Sequence, residues 1–236
     1  LRKRSNGGDK SKRTGPADGD MKDEASKNMQ SVSGTMRKYW KSCESEFWQN
    51  VFRVETDYLL KHLKGCQTVL SVGCGPAVIE AALGKHGYQV TGVDIEPGAL
   101  REASGAVKMV VARAEDLPFP AAAFEAVIFV TSLQFIEDYR AAVVQAARVL
   151  RESGQLIVML LNPASAFFQR KLCQPHSYVH WIRHTDLEEI QSVISEQFEA
   201  QTEYFLGIDG ATLFETRDPA GAALFVIRGT RKAASL

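Results

Sequence analysis

Gly73, Gly75 and Asp94 have the residue types and the spacing to hold a nucleoside. The two glycines end the apolar run Thr68-Val69-Leu70-Ser71-Val72 and precede the helical run Val78-Ile79-Glu80-Ala81-Ala82-Leu83. Without Cβ atoms the backbone of such a turn can come close to a ligand. Asp94 lies 21 residues beyond Gly73, at the end of Gln89-Val90-Thr91-Gly92-Val93. In an open parallel sheet the carboxyl ends of adjacent strands are where a nucleotide sits, and an acid there accepts hydrogen bonds from both ribose hydroxyls.

Two classes of nucleoside cofactor use a strand, a glycine turn and an acid in this order: the nicotinamide or flavin dinucleotides, and S-adenosylmethionine. A dinucleotide turn needs a third glycine three residues after the second, so that the helix can approach the pyrophosphate. Val78 occupies that position. The turn therefore disfavours a pyrophosphate and leaves the methyl donor as the better reading.

Positioning such a site requires alternating strands and helices. Phe47, Val51, Tyr58, Leu59 and Leu63 have helical spacing, stopped near Gly65. Beyond the first two strands, Glu96–Ala103 reads as a short helix, Val107–Val111 and Phe124–Val130 as strands, Arg140–Leu150 as a helix and Gln155–Leu161 as a buried strand. This alternation predicts a parallel sheet covered on both faces. Residues 162–184 are irregular and aromatic-rich, and Thr185-Asp186-Leu187-Glu188 reads as a capping box opening a helix to about Gln197. Phe198–Leu206 and Ala222–Arg228 read as strands joined by Gly207–Gly221.

Four segments in register, Val69-Leu70-Ser71-Val72-Gly73-Cys74-Gly75-Pro76, Gly92-Val93-Asp94-Ile95-Glu96-Pro97, Ala114-Glu115-Asp116-Leu117-Pro118-Phe119-Pro120 and Ala147-Arg148-Val149-Leu150-Arg151-Glu152-Ser153-Gly154-Gln155-Leu156, carry a resemblance. The chain resembles the class I S-adenosylmethionine-dependent methyltransferases, in particular those similar to the ubiquinone and menaquinone biosynthesis enzymes, from about Phe47 to Val226. The resemblance implies an α/β, Rossmann-like, seven-stranded and mostly parallel sheet with helices on both faces and an antiparallel C-terminal strand. It implies a helical cap at 35–64, a methyltransferase domain at 65–230 and a lid-like insert at 162–184. S-adenosylmethionine would be the cofactor, S-adenosylhomocysteine its product, and a small molecule the methyl acceptor. The family usually has Asp or Glu at Ser71, Gly at Ala77, and Asp at both Arg113 and Glu125.

On that resemblance the cofactor neighbours are Gly73, Cys74, Gly75, Asp94, Ile95, Ala114, Glu115, Thr131 and Gln134. Glu115 or Asp116 either replaces the carboxylate absent at Arg113 or caps the next turn. Cys74 has no basic partner beside it and reads as a small packed side chain. Arg53 can pair with the methionine carboxylate, with Tyr39 and Trp40 closing over the pocket, or can simply face solvent. His176 and His180 are candidates for taking a proton from the acceptor, with a packing or surface role as the alternative. His176, His180 and His184 on one helix would span a rise of about 12 Å, too far for a single metal ion, and no metal site is expected. Asn162-Pro163-Ala164 follows the fifth strand and lacks an aromatic, so it is not the Asn-Pro-Pro-aromatic motif of amino methyltransferases.

Charge is balanced, with 28 basic and 28 acidic side chains, but residues 1–34 hold eight of the basic and five of the acidic ones. The remainder is mildly acidic, which argues against nucleic-acid binding. The polar, basic head reads as disordered or as an expression remnant. Four separated cysteines without a C-x-x-C pair suit reduced thiols in a cytoplasmic protein. No apolar run reaches the roughly 18 residues of a membrane span.

Overall fold

The computed structural model describes residues 41–99 and 107–233. The head at 1–34, Tyr39, Trp40 and the second half of the helix expected over 96–103 lie outside the described residues. Everything described belongs to one unit, Trp40–Leu236.

The chain enters through α1 (Glu46–His62), capped by Ser45 and ended before Gly65, whose φ is +91°. Then come β1 (Thr68–Val72), α2 (Val78–Lys85), β2 (Gln89–Asp94), β3 (Lys108–Val111), β4 (Phe124–Val130), α3 (Tyr139–Val149) and β5 (Leu150–Leu161). The insert forms α4 (Ala166–Leu172) and a 3-10 turn at Tyr178–Trp181. The chain closes with α5 (Leu187–Gln197), β6 (Phe198–Asp209), β7 (Thr212–Phe214) and β8 (Ala222–Arg231). Asp186, rather than Thr185, caps α5, accepting the Glu189 N–H at 2.9 Å.

The strands form one sheet in the order β3-β2-β1-β4-β5-β8-β6-β7. Pairings from β3 through β5 are parallel, and those of β8 with β5 and β6, and of β6 with β7, are antiparallel. This is the expected Rossmann-like sheet with one strand more. The extra strand, β7, lies in the segment read as a connector. Its hairpin needs Gly210 at φ +57° and Gly207, where a Cβ would stand 2.3 Å from the Phe214 ring. Such glycines suit both a loop and a hairpin, so the pattern alone does not separate them.

Each central strand feeds two cores, because successive side chains point to opposite faces. Leu70, Val72, Val127, Phe129, Val158 and Leu160 face α3 and α5, while Val69, Ala126, Ile128, Ile157 and Met159 face α1, α2 and α4. Burial of both faces requires near-continuous apolar runs, as in Ala126–Val130 of β4 and Leu156–Leu161 of β5. A polar tie fastens α1 to the antiparallel edge. The Tyr58 hydroxyl donates to Glu203 Oε1, and Arg228 and Arg217 reach the same carboxylate at 3.4 and 3.2 Å.

Candidate functional site

The site grows from the end of β1. Gly73 and Gly75 turn the chain with φ of +73° and +51°. The Gly73 and Cys74 N–H groups both donate to the Val93 carbonyl, at 2.7 and 3.2 Å, which anchors the turn to β2. A Cβ on Gly73 would lie 2.5 Å from Cβ of Ser132, so the close approach of β1 and β4 demands glycine here. Ala77, at the N-terminus of α2, has φ +56°. That left-handed geometry accounts for a preference for glycine at this position, and alanine adopts it at a cost of about 1 kcal/mol.

Asp94 closes the other side. Its Oδ2 accepts the Gly75 N–H at 2.8 Å and its Oδ1 the Glu96 N–H at 2.9 Å. Burial pushes its pKa up, while the hydrogen bonds from Glu96 and Gly75 pull it back. Ile95, 59% exposed, offers an apolar surface beside it. Thr131, at the end of β4, has φ +48° and donates its N–H to the Met159 carbonyl at 2.9 Å. A β-branched residue in that conformation is strained by roughly 1–3 kcal/mol, a cost that gathers where a chain must shape a site.

The structure therefore brings Gly73, Cys74, Gly75, Asp94, Ile95 and Thr131 to the carboxyl ends of β1, β2 and β4. Ala114 and Glu115 follow β3 on the same edge. Glu115 pairs with Arg113 at 3.0 Å, so the arginine standing where the family has an acid is locally neutralised. The Cys74 sulfur lies 3.8 Å from the Met109 sulfur, in space that Gly92 leaves open, and burial raises its pKa. That is the packed thiol expected rather than a nucleophile.

Other candidates stand elsewhere. The fully buried Gln134 spends its side-chain amide on Leu161 and His184: Nε2 donates to both carbonyls at 3.1 and 3.2 Å and Oε1 accepts the Leu161 N–H at 2.7 Å. It is a brace between β4, β5 and the insert. Arg53 faces solvent and lies 3.9 Å from Asp57. His180 Nε2 meets the Gln174 carbonyl at 2.9 Å, and His176 is exposed. The three histidines do not share a helix, since only the 3-10 turn forms there. Among the described residues no group of three His, Cys, Asp or Glu side chains could hold a metal. Asn162 donates to the Pro219 and Ala222 carbonyls at 2.7 and 2.8 Å, which fixes the β5 end and leaves its amide occupied.

Two buried acids escaped notice in the sequence. Glu80 on α2 accepts from Ser71 Oγ at 2.5 Å, and Glu55 on α1 lies within its electrostatic reach. Each is 3% exposed. The signal was present: Glu55 falls on the buried stripe between Val51 and Leu59, and Glu80 interrupts an apolar run.

An open parallel sheet with a glycine turn and an acid at adjacent strand ends defines a Rossmann-like nucleoside-binding domain. The donor set also fits adenosine, with a carboxylate for the diol and an apolar side chain next to it. Residues 70–158 match the family model described as a methyltransferase domain. Over that segment the chain is similar to methyltransferases. It is 34% identical over 97 residues to a demethylmenaquinone methyltransferase of Tropheryma whipplei, covering 39% of this chain and 41% of that protein. It is 32% identical over 108 residues to a ubiquinone biosynthesis O-methyltransferase of Xanthomonas oryzae, covering 42% and 45%. The chain thus spans less than half the length of these relatives. The fold is shared with a Thermotoga maritima S-adenosylmethionine-dependent methyltransferase, described as a possible histamine N-methyltransferase, at TM-score 0.70 and 21% identity over 83% of this chain and 95% of that one.

Proposed function

We propose that this protein transfers the methyl group of S-adenosylmethionine to a small-molecule acceptor. The observation that carries the reading is the Asp94 carboxylate, held by the Gly75 N–H at 2.8 Å and seated at the strand end beside the glycine turn. In this reading Asp94 accepts from the ribose diol, Ile95 lies along the adenine, and the backbone around Gly73 and Gly75 lets the cofactor settle into the crevice. The bound cofactor supplies an electrophilic methyl on a sulfonium. The protein's part is then to align the acceptor and exclude water, and orientation alone can account for much of the rate.

Residues 162–184 are the proposed lid. Trp181 and Leu172 expose apolar surface there, at 40% and 38%, and the rings of Phe167 and Tyr178 in the same segment pack on Trp48 with centroids 6.5 and 6.1 Å away. This favours an acceptor with an apolar body, in keeping with the quinone names of the two relatives. A cytoplasmic setting without nucleic-acid partners is part of the proposal, supported by four cysteines that are widely separated in the sequence and by a balanced charge.

Calorimetry with S-adenosylhomocysteine and thermal shift with both that ligand and a nicotinamide dinucleotide provide the test. Binding and stabilisation by the first alone is the expected result. Stabilisation only by the dinucleotide, or no binding to folded protein, defeats the reading. A panel of hydroxylated and amine acceptors with labelled donor then separates turnover from binding without transfer.

A further inference from the structure

A second crevice opens where α1 ends at His62, on the face of β5, β8 and β6. Two cross-strand rows form its floor: Ile157, Arg228 and Gln201 in one, Gln155, Thr230 and Glu199 in the other. Its volume is about 390 Å³, in the lower part of the range of small-molecule sites. It is separate from the proposed cofactor crevice. Gln155 is level with Ala126 of β4 and, through it, with Val69 of β1, four residues before Gly73. The opening therefore lies two strands across and roughly 13 Å down the strand from the glycine turn.

The walls gather donors around a positive charge. Glu203 accepts the Tyr58 hydroxyl and serves two guanidinium groups, Arg217 at 3.2 Å and Arg228 at 3.4 Å, so one carboxylate answers two arginines. Arg228, its side chain 32% exposed, lines the crevice, and because its Nε is shut away a ligand meets the terminal nitrogens. Arg228 Nη1 lies 3.2 Å from His62 Nδ1. A guanidinium only donates, so Nδ1 accepts and the proton of the neutral ring sits on Nε2. Among the described residues that Nε2 and the side chains of Gln155, Gln201 and Thr230 form no hydrogen bond with the protein. Glu199 is the one acid on the walls, exposed and without an ion pair among the described residues.

We propose that this crevice binds the oxyanion of a small hydroxylated molecule, a phosphate or carboxylate group seated against Arg228 and the His62 Nε2–H. A guanidinium beside a second N–H donor is the pairing an oxyanion takes, through charge-assisted hydrogen bonds. The amides of Gln155 and Gln201, the Thr230 hydroxyl and the Glu199 carboxylate suit the hydroxyls of its body and disfavour an apolar one. The proposal stands apart from the methyl-donor reading, and neither needs the other.

Calorimetry on the full chain compares ribose 5-phosphate, gluconate and ribose, with the His62 ring followed by NMR in the same titrations. At least one of the two anions should bind, with ribose weaker by about 10-fold or more. Binding of ribose 5-phosphate alone assigns the oxyanion to phosphate, and of gluconate alone to carboxylate. Arg228→Gln should weaken the bound anion by roughly 10- to 100-fold, and Thr230→Val by about 2- to 5-fold. The His62 resonances should move with the same midpoint as the heat. If Arg228→Gln fails to fold, His62→Leu, which removes the Nε2–H and leaves the Tyr58 bond to Glu203, carries the comparison. Saturating S-adenosylhomocysteine should change the affinity for the anion by no more than about twofold. Failure of both anions to bind, equal binding of ribose, or full affinity in Arg228→Gln overturns the proposal. Displacement by S-adenosylhomocysteine places the anion in the cofactor crevice and overturns it too. A chain that binds the anion but not S-adenosylhomocysteine defeats the methyl-donor reading and leaves this site standing.

Discussion

Gly73 and Ser132 set the distance between β1 and β4 at the mouth of the site. A Cβ on Gly73 would stand 2.5 Å from that of Ser132, whose hydroxyl donates to the Val72 carbonyl at 2.5 Å. The φ of +73° at Gly73 adds a second constraint. Gly73→Ala should therefore destabilise the protein by about 2–4 kcal/mol, from backbone strain and overpacking together. Urea denaturation measures it. Ser132→Gly in the same chain should recover the packing part and leave the strain. A lone Gly73→Ala of wild-type stability would contradict this geometry.

Asp94 is held by two backbone N–H groups, yet its burial works against its charge. Asp94→Asn keeps the shape and removes the charged acceptor. Affinity for S-adenosylhomocysteine should fall by roughly 10- to 100-fold, while the melting temperature of the free protein changes little. A collapse in stability with affinity intact would instead make Asp94 a cap for the loop at Glu96.

The Glu55 and Glu80 pair predicts how stability varies with pH. Burial, helped by Glu80, pushes Glu55 up to about 8. Burial pushes Glu80 up to about 7, with Asp94 adding to the rise and the Ser71 hydrogen bond opposing it. Burial and the Glu55 charge raise the pKa of Tyr178, and burial and the Glu80 charge raise that of Cys74. The native state holds protons that the unfolded chain gives up above the ordinary value of 4.5. Stability of the free protein should therefore fall as pH rises from about 4.5 to about 8, and level off above. Melting curves across that range provide the check. Glu55→Gln should raise the melting temperature at pH 8.5 and leave it nearly unchanged at pH 5, and the opposite pattern would show that both groups ionise freely.

Gln134 ties Leu161 and the His184 carbonyl through three side-chain hydrogen bonds while fully buried. Gln134→Ala leaves those groups unsatisfied and should cost about 2–4 kcal/mol. The affinity for S-adenosylhomocysteine in the folded variant should stay within about twofold. A large, selective loss of affinity would restore Gln134 to the cofactor.

How much could be read from the sequence differs by kind of residue. The glycine turn, the acid at the end of β2 and the alternating elements were legible because each rests on local rules: backbone freedom at glycine, strand and helix periodicity, and the strand-end position of an acid in a parallel sheet. Roles that depend on where a side chain points were not. Gln134 stood at the expected strand end, but its amide turned inward to close a gap between β5 and the insert. Arg53 sat on α1, on the face turned to water. The histidines had helical spacing in a segment that Ser165 and the turns around Ser177 broke into shorter pieces. The left-handed backbone at Ala77 and Thr131 and the Glu55–Glu80 encounter exist only once α1, α2 and the strand ends are brought together. Short-range patterning therefore determined which elements form and where a nucleoside could rest. Tertiary packing decided which polar groups lost their water and met each other, because desolvation and pairing depend on neighbours distant along the chain.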